Sequence, residues 1–202
     1  MSEKSYLDRV YEAQSQDERR QIYDVWAKEY DADLAGADYA TPGRCAAALA
    51  RFAPDPGQPL LDVGCGTGLS GAALQEGGFA LLDGVDVSGG MLDVARDKGL
   101  YRNLTRIAPG APLPSGYGLM AAIGVIGAGA GPMSILDLMI EALEPGGLLV
   151  ASFNEKTLAE PEAQAHIDRV RASGLVKEHL AEMGPHVRSK NLQALVVVFE
   201  KA

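Results

Sequence analysis

Residues 60–68 read Leu60-Leu61-Asp62-Val63-Gly64-Cys65-Gly66-Thr67-Gly68, and they decide the fold. Leu60-Leu61-Asp62-Val63 is a short, mostly apolar run ended by glycine, the pattern of a buried strand. Three glycines at alternate positions then let the backbone approach a ligand where a side chain would clash. Leu69 to Glu76 suits a helix and is stopped by Gly77-Gly78. The first amides of such a helix have no intrahelical acceptor, so they face the turn as free donors. Strand, glycine turn and helix N-terminus in that order make a cradle for a small ligand.

The pattern repeats downstream. Phe79 to Val87 reads as a strand, Ser88 to Lys98 as a capped helix ended by Gly99, and Asn103 to Ile107 and Leu119 to Ile126 as further strands. Ser134 to Leu143 reads as a helix ending at Pro145-Gly146-Gly147, and Leu148 to Phe153 as a strand. Leu158 to Ser173 reads as one helix, with Pro161 tolerated in its first turn. Val176 to Met183 and Leu192 to Glu200 read as two strands joined by a turn around Gly184-Pro185. The alternation predicts an α/β, doubly wound, mostly parallel sheet of seven strands. The last two strands lie too close for a crossover helix, so the final strand is expected to be antiparallel. The loops after Val63, Asp86, Ile107, Ile123 and Phe153 should line one cleft.

Upstream of the decisive segment, residues 1–53 read as a helical cap, and residues 54–202 as the core it joins in one structural unit. Asp17 can cap a helix carrying Ile22, Val25, Trp26 and Tyr30 at near-helical spacing. Thr41-Pro42-Gly43 opens a second helix through Phe52, and Pro54-Asp55-Pro56-Gly57 breaks it.

Composition narrows the function. The chain has 202 residues and a net charge of -9, a balance that repels phosphate backbones and argues against nucleic-acid or anionic-membrane partners. The most apolar stretch, Gly116 to Ile135, holds six glycines and a proline and is no membrane span. The first residues show no apolar signal core. The two cysteines, Cys45 and Cys65, make no disulfide framework and no all-cysteine zinc site, so reduced thiols in a cytoplasmic protein are expected. No metal spacing surrounds the three histidines, and His166 and His179 are expected to face solvent.

Two cofactor classes fit the glycine turn. Gly66-x-Gly68-x-x-Gly71 matches a dinucleotide fingerprint. Asp62, two residues before the first glycine, argues against it, because a carboxylate near about 4 Å opposes a phosphate by roughly 4 kcal/mol at an effective dielectric near 20. A ligand carrying an ammonium and a sulfonium suits that carboxylate, while loop amides can meet its carboxylate. Asp86, 18 positions after Gly68, stands where an acid accepts from two ribose hydroxyls. Met91 is placed to pack on an adenine face. No tyrosine is followed four positions later by lysine, as a short-chain dehydrogenase requires, and the length leaves no second domain for a larger one.

Asp62-x-Gly64-x-Gly66-x-Gly68 resembles the first motif of class I, Rossmann-like methyltransferases that use S-adenosylmethionine. Tyr23-Asp24-Val25-Trp26-Ala27-Lys28-Glu29-Tyr30-Asp31 is similar to their N-terminal signature, Ser88-Gly89-Gly90-Met91-Leu92 to the helix after the ribose-binding acid, and Leu143-Glu144-Pro145-Gly146-Gly147-Leu148 to the turn before the fifth strand. Phe153-Asn154-Glu155 resembles the small Williams–Beuren-region methyltransferase-like group. The resemblance implies S-adenosylmethionine held by Asp62, Gly64, Cys65, Gly66, Thr67, Gly68, Asp86, Val87 and Met91, with Tyr30, Pro109 and Gly124 around it. Asp62 is expected to face the methionine moiety. The implied activity is in-line methyl transfer to a small-molecule acceptor, by a monomer or homodimer. The alternatives are an inert S-adenosylmethionine-binding protein of the same fold and a nicotinamide-binding oxidoreductase.

Two departures from the family stand out. Ile107-Ala108-Pro109-Gly110-Ala111 has no acid where members hold the adenine amino group, and Gly124 to Gly131 is stripped to glycine, alanine and small apolar residues. No catalytic residue is fixed by the motifs, since a base is needed only for an acceptor that loses a proton early. Tyr30, Tyr39, Asn154, Glu155, His186 and Arg188 are the cleft-side candidates, the last two expected in the turn between the final strands. The acidic run from Asp24 to Asp38 reads as a solvated face.

Overall fold

The computed structural model describes residues 6–202, so the cap's first five positions lie outside it. Helices α1 (Tyr6–Glu12), α2 (Gln16–Gly36) and α3 (Thr41–Phe52) precede strand β1 (Leu60–Val63). Then come α4 (Leu69–Glu76), β2 (Leu82–Asp86), α5 (Gly89–Lys98), β3 (Asn103–Arg106), β4 (Tyr117–Ala122), α6 (Ser134–Ala142) and β5 (Leu143–Asn154). The chain ends with α7 (Glu155–Leu158), α8 (Pro161–Ala172), β6 (Val176–Val187) and β7 (Leu192–Lys201). The strands form one seven-stranded sheet in the order β3-β2-β1-β4-β5-β7-β6. Only the last strand, β7, runs opposite to the other six.

Alternation along the strands splits the core in two. Leu60, Leu82, Leu119, Ala121, Val150 and Val198 pack on one face with Cys45 and Leu49 of α3 and Leu74 of α4. Leu61, Val63, Met120, Leu149, Val197 and Phe199 pack on the other with Leu136 and Ile140 of α6 and Ile167 of α8. Strands buried on both faces read as continuous apolar runs, which is why Val196-Val197-Val198-Phe199 carries no polar residue. The strand order reverses between β1 and β4, and that switch point puts the cleft at their carboxyl ends.

Several expected boundaries move. β5 begins at Leu143 instead of Leu148, so Pro145-Gly146-Gly147 falls inside the strand with Gly146 left-handed (φ 73°), and β2 begins at Leu82 instead of Phe79. β4 stops at Ala122, and Gly124 then turns the chain with φ +71°. The expected single helix over 158–173 is two, because Glu160 before Pro161 is extended (φ -82°, ψ 117°). β6 runs through Gly184-Pro185 to Val187, and the turn lies at Arg188–Lys190 with Asn191 left-handed (φ 51°). An edge strand tolerates a proline that cannot donate, and the register shifts between Pro185 and Val187. A Cβ at Gly184 would stand 2.7 Å from the Arg44 guanidinium, so this glycine seats an arginine instead of ending a strand. Among the described residues no helix is long and apolar enough to cross a membrane.

Candidate active site

The glycine turn is built as its spacing predicts. Gly64, Gly66 and Gly68 all have positive φ, at +70°, +54° and +91°. Their side-chain spaces differ. A Cβ at Gly64 would press into Val125 at 2.5 Å, and one at Gly68 would meet Tyr101 at 3.3 Å, whereas Gly66 looks into open space. Gly66 is therefore the position where the cleft, not the protein, fills the missing side chain.

The cleft at the carboxyl ends has a volume of about 1320 Å³, its open mouth included. Of the expected site residues, Tyr30, Gly64, Cys65, Gly66, Thr67, Asp86, Val87, Met91, Pro109 and Gly124 line it. Asp62 and Gly68 do not; Gly68 instead caps α4. Asp86 bridges the walls: its carboxylate accepts from the Gly66 amide at 2.9 Å and the Ser88 amide at 2.8 Å. Burial pushes its pKa up against those backbone donors. Each oxygen retains a lone pair for a further donor.

The loop amides are less free than the sequence suggests. Gly64 and Cys65 donate to the Val85 carbonyl, Gly66 to Asp86, and Gly68 to the Cys65 carbonyl. The first-turn amides of α4 are the donors left by helix geometry. Ile107, Ala108, Pro109, Gly110 and Ala111 line the cleft with Met91 and Leu113, and among the described residues of this 107–111 stretch there is no acid.

Asp62 is a correction. It is fully buried behind the turn, not at its mouth, because Ser70 (2.6 Å) and Tyr101 (2.7 Å) both donate to its Oδ2. Its Oδ1 is buried without a partner among the described residues. Burial raises the pKa to about 6, against the lowering by the two hydrogen bonds. A carboxyl raised by folding stabilises the fold fully below about pH 4, and that contribution is lost as pH rises through about 6. The span from 3.8 to about 6 is worth roughly 3 kcal/mol. Asp62→Asn is therefore expected to flatten the decline in unfolding free energy between pH 4 and 6, measured by urea titration at each pH; an unchanged slope contradicts the assignment.

The acidic run on α2 is the second correction, since it is a set of clasps. Asp24 accepts from Ser88 Oγ (2.5 Å) and the Gly90 amide (3.1 Å) at the start of α5, and pairs with Arg20. Asp31 accepts from Thr67 Oγ1 at 2.5 Å and pairs with Lys98. Asp33 accepts from the Trp26 indole at 2.7 Å, and Asp38 pairs with Arg188. On the opposite rim, Arg19 donates to the Ala130 carbonyl and Tyr23 to that of Gly129. The helix thus spans the cleft from the glycine turn to the loop after β4. Asp24 and Asp31 stand seven residues apart, as do Tyr23 and Tyr30, a one-face spacing that marks this role in the sequence.

The remaining candidates separate. Tyr39 and His186 lie together edge to face, with ring centroids 5.3 Å apart. His186 sits in β6, not in the turn, and Arg188 in the turn is tied to Asp38. Glu155 accepts from the Gln193 amide, and Asn154 caps α7 through Thr157. His166 and His179 are half-buried against Asp137 and Glu200 instead of facing water, because each ring finds a carboxylate. No group of three or more metal-ligating side chains occurs among the described residues.

A second cavity adjoins the first. Tyr23, Tyr30, Tyr39, Gly124 and Ala130 line both, so they form a shared wall. The open side of Gly66, the lone-pair capacity of Asp86 and the apolar lining of residues 107–111 fit a sulfonium-bearing adenosyl amino acid at its turn, ribose and adenine.

The comparisons agree with that geometry. A family model described as a methyltransferase domain matches residues 37–202. Methyltransferase-like protein 27 of Homo sapiens is 38% identical over 163 residues, which cover 76% of this chain and 66% of that protein. The chain thus spans just under two thirds of that relative's length. The cyclase SpnF superposes with a TM-score of 0.69 at 16% identity, over 94% of this chain and 97% of that one. Magnesium protoporphyrin IX methyltransferase from Synechocystis PCC 6803, solved with bound S-adenosylhomocysteine, gives 0.66 at 16% identity, over 91% and 100%. At these identities the two structures show the fold. The family match shows more: this chain belongs to the methyltransferase-domain family.

Proposed function

We propose that the protein transfers a methyl group from S-adenosylmethionine to a small-molecule acceptor held in the second cavity. The observation that carries this reading is the pair of adjoining cavities with one common wall of Tyr23, Tyr30, Tyr39 and Gly124. When bound, the cofactor supplies an electrophilic methyl group on a sulfonium. Asp86 would accept from the ribose, the turn around Gly66 would lie against the ligand, and Met91 with Ile107–Ala111 would flank the adenine. The α2 helix, clasped at both rims, excludes water and aligns the acceptor, which is most of what such a displacement requires. A carboxylate lost from the adenine slot removes one hydrogen bond, about 0.5–1.5 kcal/mol, so binding survives it.

The net charge of -9 supports a small acceptor over nucleic acid or an anionic membrane, and two buried free thiols support a cytoplasmic setting. The test is calorimetric titration with S-adenosylmethionine, S-adenosylhomocysteine and NADH, then methyl transfer from labelled cofactor across a panel of phenols, amines and carboxylates. The expected result is binding of both adenosyl ligands, none of NADH, and turnover on a restricted acceptor class. Binding without turnover on the whole panel would favour an inert binding protein.

A further inference from the structure

The second cavity is unlike the first. Five of the seven tyrosines and the only tryptophan line it, with Tyr6 and Tyr23 each stacked near-parallel to Trp26 at 5.6 and 5.9 Å. Such walls present flat apolar faces with polar edges. The polar groups between them are uncharged: tyrosine hydroxyls, Ser152, Asn154 and an imidazole. The charged lining residues, Asp33 and Lys190, are exposed at the rim. A charged acceptor would find no buried counter-ion there, and a flat neutral one would find stacking faces.

The imidazole is His186, and the fold holds it firmly. Its carbonyl accepts from the Ala40 amide at 2.9 Å, and Tyr39 pairs with Val187 in a bridge. Its Nδ1 lies 2.8 Å from Oγ1 of the fully buried Thr41, while Nε2 makes no hydrogen bond among the described residues. Burial lowers its pKa, with Arg44 acting in the same direction and Glu155 opposing. Tyr39 and the rim's Lys190 and Arg188–Asp38 pair are the other titratable or charged groups near it. The ring therefore stays neutral at pH 7.

Tyr39 links this base to the shared wall. Its ring meets His186 edge-on, and its hydroxyl stands 2.3 Å from where a Cβ of Gly124 would be. Only glycine at 124 admits that hydroxyl, so the imidazole, the tyrosine and the wall between the cavities form one continuous line.

Resting on the methyl-transfer reading, we propose that the second cavity takes a planar, uncharged acceptor bearing a hydroxyl, and that His186 Nε2 removes the hydroxyl proton. The acceptor O–H bond breaks and its proton passes to Nε2, giving an imidazolium. The oxygen pair forms the new O–CH₃ bond as the methyl–sulfur bond breaks, and that bond's electron pair stays on sulfur. The imidazolium returns its proton to solvent. The role requires the tautomer in which Nδ1–H donates to Thr41 Oγ1.

Two measurements test this on the full-length protein. Nitrogen-15 NMR of the imidazoles in the S-adenosylhomocysteine complex is expected to show His186 neutral at pH 7 with the proton on Nδ1, and its Nε2 resonance perturbed by added 1-naphthol. A proton on Nε2 overturns the proposal whatever the activity. In transfer assays, His186→Gln is expected to lower kcat on 1-naphthol about a hundredfold or more, with S-adenosylhomocysteine affinity unchanged and the pH dependence of kcat abolished. On 4-nitrophenol, largely ionised at mildly alkaline pH, the loss should be much smaller. Equal losses on both phenols, or turnover confined to amines or carboxylates, overturn this inference while leaving methyl transfer standing. No turnover on any class, with the cofactor bound, overturns both.

Discussion

Asp86→Ala is expected to weaken S-adenosylhomocysteine binding by roughly a hundred- to a thousandfold, about 3–4 kcal/mol. The carboxylate does two things at once. It accepts from the amides of Gly66 and Ser88, at 2.9 and 2.8 Å, and so ties the glycine turn to the start of α5. It also presents the remaining lone pairs to the cleft, where ribose hydroxyls are the natural donors. Hydrogen bonds to a charged acceptor contribute about 1.5–3 kcal/mol each, and deletion leaves two amides without it. Asp86→Asn keeps one oxygen acceptor and should fall between wild type and alanine. Calorimetric titration checks the affinities, and thermal unfolding of the free protein separates lost binding from lost structure. An alanine variant binding within about threefold of wild type would remove Asp86 from the site.

Gly66→Ala should cost nearly as much, by another route. At φ +54° a non-glycine residue is strained by roughly 1–2 kcal/mol, which lowers the melting temperature by a few degrees. The added methyl meets no protein atom within 4 Å. It projects into the space assigned to the cofactor, so affinity should drop by a further factor of about 30–100. Gly64→Ala is the contrast, because its methyl would strike Val125 at 2.5 Å and damage the packing itself. The prediction is thus a stable, poorly binding Gly66 variant beside a destabilised Gly64 variant, read by melting temperature and by titration. If Gly66→Ala binds like wild type, the turn does not contact the ligand.

Much of this was legible along the chain because the signals are local. A glycine at positive φ, a proline that blocks the preceding helix turn and an apolar run buried on both faces each act over a few residues. Leu60–Val63 and Leu69–Glu76 form where the pattern puts them, and Ser88 caps α5 by accepting from the Met91 amide. Gly184-Pro185 misled because the same residues that make turns also suit an edge strand pressed against an arginine side chain.

The chemistry of charge was less legible. From spacing, Asp62 and Asp31 look alike, one acid near a glycine turn and one in an acidic helix. The fold buries the first behind Ser70 and Tyr101, 39 positions from its farther partner, and lays the second on Thr67 across 36 positions. Those partners come from chain reversals that no local pattern encodes.

Backbone sterics and periodic burial act over short range, so the chain's local pattern specifies the seven-stranded sheet, its antiparallel last strand and the glycine turn at the end of β1. Tertiary structure alone decided that α2 closes over that turn, that Asp62 lies behind it, and that His186 and five tyrosines surround a second cavity. These are meetings of groups from distant segments, and solvation, hydrogen bonding and proton affinity respond to such neighbours, not to position along the chain.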